Sequence, residues 1–94
     1  MADDRYTVRV SVTGRVQGVF FRGWTEEQAE ALKLDGWVKN EPDGSVSALV
    51  SGPRADVEAL VEKLHTGPRA ARVAKVDVRE DSAADVPGGF SIAH

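Results

Sequence analysis

Residues 13–22 read Thr-Gly-Arg-Val-Gln-Gly-Val-Phe-Phe-Arg and place two arginines and two glycines just ahead of a segment with helical periodicity. The first N–H groups of a helix have no internal acceptor, and the helix dipole makes that end positive. Arg22 at such an end is unfavourable in isolation, and Arg15 adds to the same potential. An anion resolves the conflict. Gly14 and Gly18 let the chain curl so that successive N–H groups converge, and Arg22 offers a forked, permanently charged donor suited to phosphate. The plainer alternative is a strand-to-helix connection in which Arg22 reaches solvent or pairs with Glu26, four residues on. Spacing alone favours neither reading. The stretch lacks the Gly-Lys-Ser/Thr ending of a nucleotide P-loop, and it is not a dinucleotide fingerprint.

The elements around this loop indicate what can reach it. From Tyr6 to Thr13 the chain alternates, with Val8, Val10 and Val12 on one face and Thr7, Arg9 and Ser11 on the other, as in a half-buried strand. From Phe21 to about Leu34 the period lengthens, and Phe21, Thr25, Gln28, Ala29 and Leu32 share a helical stripe. Gly36 to Glu41 reads as a second strand, Glu41-Pro42-Asp43-Gly44-Ser45 as a turn, and Val46, Ala48 and Val50 as the inner face of a third strand. Val57, Leu60, Val61 and Leu64 mark a second helix, which Gly67 and Pro68 end. Ala74, Val76 and Val78 alternate as a fourth strand, and Phe90 with Ile92 suits a short fifth one at an edge.

The order βαββαβ predicts a ferredoxin-like α/β sandwich of the α+β class, with an antiparallel four-stranded sheet and two helices on one face. The serine- and charge-lined face is expected in water. Strands one and two run the same way in this topology, so their C-terminal ends meet at one end of the sheet. The loop from Gly14 to Phe20 and Asn40 are therefore expected to be neighbours. An isolated Asn near a turn usually satisfies local backbone groups; closeness to an anion loop gives it a chemical use.

At 94 residues the chain has room for one domain spanning residues 1–94, which buries somewhat over ~60% of its unfolded surface. A net charge of −3 argues against a general binder of nucleic acid or of anionic membranes, so any anion site is local. The absence of cysteine excludes disulfides, thiolate metal sites and a cysteine nucleophile. No apolar run is long enough to span a bilayer and the start has no signal-sequence pattern, so cytoplasm is the expected location; a monomer is the separate expectation for its assembly. His65 suits a helix C-terminus, His94 is terminal, and Glu26, Glu27 and Glu30 read as a solvated helix face. Trp24 and Trp37 read as packing residues.

Gly-Arg-Val-Gln-Gly-Val-Phe-Phe-Arg at 14–22, followed eighteen residues after Arg22 by the asparagine of Gly-Trp-Val-Lys-Asn-Glu-Pro-Asp-Gly-Ser-Val at 36–46, resembles the acylphosphatase family. The resemblance runs from about Tyr6 to Ile92, and both signatures occur in the family's order and spacing. It implies hydrolysis of small-molecule acyl phosphates, which are carboxylic–phosphoric mixed anhydrides, to a carboxylate and inorganic phosphate. It further implies that Arg22 binds the phosphoryl group together with a cradle of Arg15, Val16, Gln17, Gly18, Val19 and Phe20, and that Asn40 orients the attacking water. No metal and no cofactor is implied. Where the family commonly has Leu-Gly-Leu, this chain has Leu32-Lys33-Leu34, which removes a favoured helix-terminal glycine. Its end, Phe90-Ser91-Ile92-Ala93-His94, departs from the family's usual Arg-Tyr close.

Such a sparse site suits the chemistry. Phosphoryl transfer needs mainly positioning and charge stabilisation, and a carboxylate leaves readily without a strong general acid. With no side-chain base evident, a phosphate oxygen of the substrate is the candidate acceptor for the water's proton. Two rival readings remain. A single-stranded RNA binder would set aromatics on the open face of the central strands, where Thr7, Arg9, Ser11, Ser45 and Ser47 stand here. A non-catalytic anion-binding or accessory module would keep Arg22 but has no need of Asn40. The same domain also resembles the leading part of larger hydrogenase-maturation proteins.

Overall fold

The computed structural model describes residues 5–93; the expectations for the first four residues and for His94 fall outside them. Its elements follow the order β1 (Arg5–Arg15), α1 (Phe21–Ala31), β2 (Asp35–Asn40), β3 (Val46–Pro53), α2 (Arg54–Leu64), β4 (Arg72–Glu80) and β5 (Phe90–Ile92). The strands form one sheet in the order β4-β1-β3-β2-β5. β1 and β2 flank β3 and both run antiparallel to it, so they run parallel to each other and end at the same end of the sheet. That is the placement expected for the loop after β1 and for Asn40, the last residue of β2.

The expectation of a purely antiparallel sheet needs correcting. β5 forms, and it pairs parallel with β2 through Gly36 with Phe90, Trp37 with Ser91 and Val38 with Ile92. The sheet is therefore mixed and five-stranded. Phe90 explains why so short a strand holds: its ring is buried against the core, and the Ala93 N–H donates to the Val38 carbonyl at 2.8 Å.

The core lies between the sheet and the helices. Val8, Val10 and Val12 of β1, Val46, Ala48 and Val50 of β3, and Val38 of β2 meet Phe21 and Ala29 of α1 and Val57, Leu60 and Leu64 of α2. Each has at most 3% of its surface exposed, so each gains close to the full ~1.5–3 kcal/mol expected for burying a large aliphatic or aromatic side chain, and less for alanine. Asp56 in the first turn of α2 and Lys63 in its last turn complement the helix dipole.

β4 departs from its simple alternation. The β1–β4 register shifts between Thr13 and Gly14, so Val76 faces Val12 while Val73 faces Gly14. Val73 and Val76 pack against the core, whereas Ala74 is exposed and Val78 remains 45% exposed on the edge strand. The bulge is possible because residue 14 has φ +123° and no side chain; a Cβ there would lie 2.2 Å from the Arg72 carbonyl oxygen.

The helix-free face is also less open than its serines suggest. Leu49 and Ser51 are each only 1% exposed. Leu49 sits in register between Arg9 and Trp37. The Trp37 ring has the Arg9 guanidinium 5.7 Å and the Lys39 ammonium 5.3 Å from its centre. These side chains cover Leu49. Trp24 is half-buried beside Phe21, with ring centres 5.7 Å apart, and packs against the core.

Candidate active site

β1 ends at Arg15 and α1 begins at Phe21, which leaves Val16 to Phe20 as the connection. Val16 is buried and anchors the loop's first residue in the core. Two later residues take left-handed backbone angles: Gly18 has φ +74° and Phe20, the N-cap of α1, has φ +65°. For Phe20 that conformation costs about 1–2 kcal/mol. It turns the chain into the helix, and the Trp24 N–H then donates to the Phe20 carbonyl at 3.0 Å.

This helix start has no capping side chain and no acidic residue in its first turn. Among the described residues, no carbonyl accepts an N–H of Gln17, Gly18, Val19 or Phe20. Backbone donors are thus gathered at the positive end of a dipole with nothing negative supplied by the protein. Arg22, in the first turn, is half-buried and makes no hydrogen bond or ion pair among the described residues. The pairing with Glu26 weighed from sequence does not form.

Asn40 completes the arrangement. Val16, Gly18, Phe20, Phe21, Arg22, Gly23, Asn40 and Ile92 line one cleft of about 320 Å³. The Asn40 Oδ1 is buried in the protein and has no hydrogen-bond partner. Leaving such an acceptor unsatisfied costs about 1–3 kcal/mol. A donor placed in this cleft would recover that energy.

The other cradle residues occupy different places. Arg15 is exposed on β1 opposite Arg72, and neither Arg15 nor Val19 lines the cleft. The Gln17 side chain points its amide at the β2–β3 hairpin, where Nε2 donates to the carbonyl oxygens of Glu41 and Ser45, both at 2.8 Å. It therefore ties the loop to the strand end that carries Asn40. The hairpin turn is itself tied by Asp43, whose carboxylate accepts from the Ser45 hydroxyl at 2.7 Å and the Ser45 N–H at 2.9 Å. The hydroxyl bond first, then the N–H bond, holds the Asp43 carboxyl below its ordinary 3.8.

Phe21, Gly23 and Ile92 line the cleft without having been singled out from sequence. Ile92 arrives through the parallel pairing of β5, which alternation in three residues hints at but does not locate. A wider hollow of about 410 Å³ on the helix-free face is bounded by strand residues that include Arg9, Asp77 and Arg79. Arg9 there is already bonded to Asp81 at 2.8 Å. Among the described residues no cluster of acidic and histidine side chains is arranged to hold a metal ion, and no helix is long and apolar enough to cross a membrane.

The family model for acylphosphatase matches residues 8–92. The chain belongs to the acylphosphatase family. It is 52% identical to an acylphosphatase of Rhizobium meliloti (strain 1021) over 92 residues, covering 98% of this chain and 97% of that one. Among solved structures, an acylphosphatase from Coxiella burnetii superimposes with a TM-score of 0.90 at 38% identity, over 96% of this chain and 94% of that chain. The acylphosphatase from Bacillus subtilis gives a TM-score of 0.90 at 37% identity, over 95% and 99%. Both superpositions cover nearly the whole of this chain, whose own sheet includes β5.

Proposed function

We propose that this single-domain chain hydrolyses small acyl phosphates without a metal or other cofactor, with Arg22 and the N–H groups of the 16–20 loop holding the phosphoryl group and Asn40 orienting water. The observation that carries the reading is the buried, unpartnered Asn40 Oδ1 in the same cleft as an unpaired Arg22. A water donates one O–H to that oxygen and keeps a lone pair for phosphorus. As the water's oxygen bonds to phosphorus, the bond from phosphorus to the acyl oxygen breaks and its electron pair leaves on the carboxylate. The water's proton passes to a phosphoryl oxygen. None of the residues lining the cleft carries a carboxyl or imidazole group, which supports a substrate oxygen as acceptor and gives no ligand set for a metal.

Arg22 and the loop amides serve this step by opposing the charge that gathers on the phosphoryl oxygens, in place before the reaction begins. Family membership and the match to acylphosphatases over nearly the whole chain support the same activity. A monomeric cytoplasmic enzyme that takes no nucleic acid is the companion proposal, and the net charge of −3 supports its last part.

The test is release of inorganic phosphate from benzoyl phosphate in EDTA by wild type and Asn40→Ala, beside a phosphomonoester. Turnover of the anhydride alone, lost in the variant, is the expected result. Phosphate binding with no turnover by wild type would favour an accessory anion-binding module.

A further inference from the structure

We propose that the ring of Phe20 is the acyl-binding surface of this site and gives the enzyme a preference for aromatic and bulky apolar acyl phosphates over acetyl phosphate. The inference rests on the acyl phosphate reading above and extends it to the part of the substrate that the phosphate cradle does not touch.

Phe20 is 64% exposed, more than any other large apolar side chain among the described residues. A lone exposed apolar residue is ordinary. This one is different in where and how it is held. It lines the cleft that contains Arg22 and Asn40, and it is the N-cap of α1, next to the backbone donors that face an anion. Its ring is seated: a Cβ built on Gly23 would fall 2.2 Å from Cε1 and 2.6 Å from Cζ of Phe20. The ring thus lies against bare backbone three residues on, and residue 23 must be glycine for it to stay there.

The cleft offers space and a second wall. Its volume of about 320 Å³ falls at the lower end of the ~300–1,000 Å³ typical of small-molecule sites and exceeds what one phosphoryl group fills. Val16 and Phe21 are buried beneath it, while Ile92 is half-buried and packed at the core's margin. Phe20 and Ile92 are therefore the apolar side chains with surface left to give a substrate. With phosphate fixed by Arg22, an acyl group leaving the cleft passes between apolar surfaces, and an aromatic acyl group gains a ring contact that a methyl group cannot.

The experiment measures kcat/KM for benzoyl phosphate and acetyl phosphate with wild type, Phe20→Asn, Phe20→Tyr and Gly23→Ala. Asn tolerates the left-handed backbone, so Phe20→Asn removes the ring with the least disturbance of the loop. The benzoyl-to-acetyl ratio is expected to fall about 2- to 10-fold in Phe20→Asn, the scale of one aromatic contact, chiefly through KM for benzoyl phosphate. Phe20→Tyr keeps the ratio, and Gly23→Ala lowers it with the ring still present. A distorted loop slows both substrates together and cancels in the ratio, so an unchanged ratio in Phe20→Asn overturns the proposal. Affinity for benzylphosphonate relative to methylphosphonate, by calorimetry on the same proteins, gives a second readout free of turnover. If wild type hydrolyses neither substrate, the catalytic reading falls, while a Phe20-dependent affinity ratio still supports the apolar surface and a Phe20-independent one overturns it.

Discussion

Gln17 and Glu41 stand 24 residues apart in sequence, and the side-chain amide of the first donates to the backbone carbonyl of the second at 2.8 Å. The same nitrogen donates to Ser45, so one side chain fixes the anion loop against both arms of the β2–β3 hairpin. The reach of Asn40 toward a phosphate held by Arg22 depends on that link, because Asn40 ends β2 while Arg22 opens α1 beyond the loop after β1, and β3 separates β1 from β2.

Gln17→Ala is therefore expected to lower stability only moderately, by about 1–2 kcal/mol, since both carbonyls keep a backbone donor. Its effect on rate should be larger, on the order of 10-fold or more in kcat, because small misplacements of a catalytic group are costly. Denaturant unfolding and steady-state kinetics on the same variant check this. A variant with wild-type kcat would show that the link serves folding alone.

Arg22 and Asn40 should fail differently. Arg22→Gln removes the positive charge that opposes both the bound and the reacting phosphoryl group, so phosphate affinity falls and kcat/KM drops by about 10³-fold or more. Asn40→Ala leaves the cradle intact: phosphate affinity stays near wild type while kcat falls by about 10²–10³-fold. Inhibition by inorganic phosphate, measured beside turnover, separates the two. Equal losses of affinity in both variants would remove the division of roles.

Much of this arrangement is legible in the chain because it follows from short-range pattern plus topology. The valines at 8, 10 and 12 fix a strand face, Val57, Leu60 and Leu64 fix a helix face, and βαββαβ order then brings Asn40 to the anion loop. What stays hidden depends on contacts between distant residues. The bulge at Thr13/Gly14 reverses the phase of β4, so Val73 takes the core position that local alternation gives to Ala74. Leu49 is buried on the helix-free face, where its register partners Arg9 and Trp37, from the strands on either side, also meet each other. The tie from the Gln17 side-chain amide to the hairpin carbonyls is hidden in the same way, and it leaves the Gln17 N–H free for the loop.

Gly14 and Gly18 belong to one stretch of sequence yet should respond unequally to a methyl group. At Gly14 the added carbon meets the Arg72 carbonyl at 2.2 Å and the Ala74 nitrogen at 2.7 Å, at φ +123°. Gly14→Ala should cost about 3 kcal/mol or more, since backbone atoms must move and the bulge is lost. At Gly18 nothing lies within 4 Å and only the φ of +74° opposes the change, so Gly18→Ala should cost about 1 kcal/mol. Equal losses in thermal unfolding would contradict the bulge as the reason for glycine at 14.

The Asp43–Ser45 contact makes the hairpin sensitive to acid. Hydrogen bonds to the charged form lower the folded-state value below the ordinary 3.8, so this contribution is present in full above about 3.8 and is lost as pH falls through the lower folded value. The stability difference between wild type and Asp43→Asn should stay level from pH 7 to about 5 and shrink toward pH 2. Unfolding titrations at a series of pH values would show it, and a difference that grows on acidification would reverse the assigned sign.

Lys33 offers the opposite kind of test, a gain. α1 ends in a Schellman turn: the Leu34 N–H donates to the Ala29 carbonyl at 2.9 Å, the Lys33 N–H to the Glu30 carbonyl at 3.0 Å, and Lys33 itself takes φ +57°. Lysine carries a steric cost there of about 1–2 kcal/mol that glycine does not. Glycine returns part of the gain through its larger unfolded-state entropy, which leaves Lys33→Gly more stable by up to about 1 kcal/mol. The site should not notice, because the 11 residues of α1 set Lys33 roughly 16 Å along the helix from the loop. A higher unfolding midpoint with unchanged kcat and KM is the expected result; lower stability would mean that the Lys33 side chain supports the helix end by a contact stronger than its backbone strain.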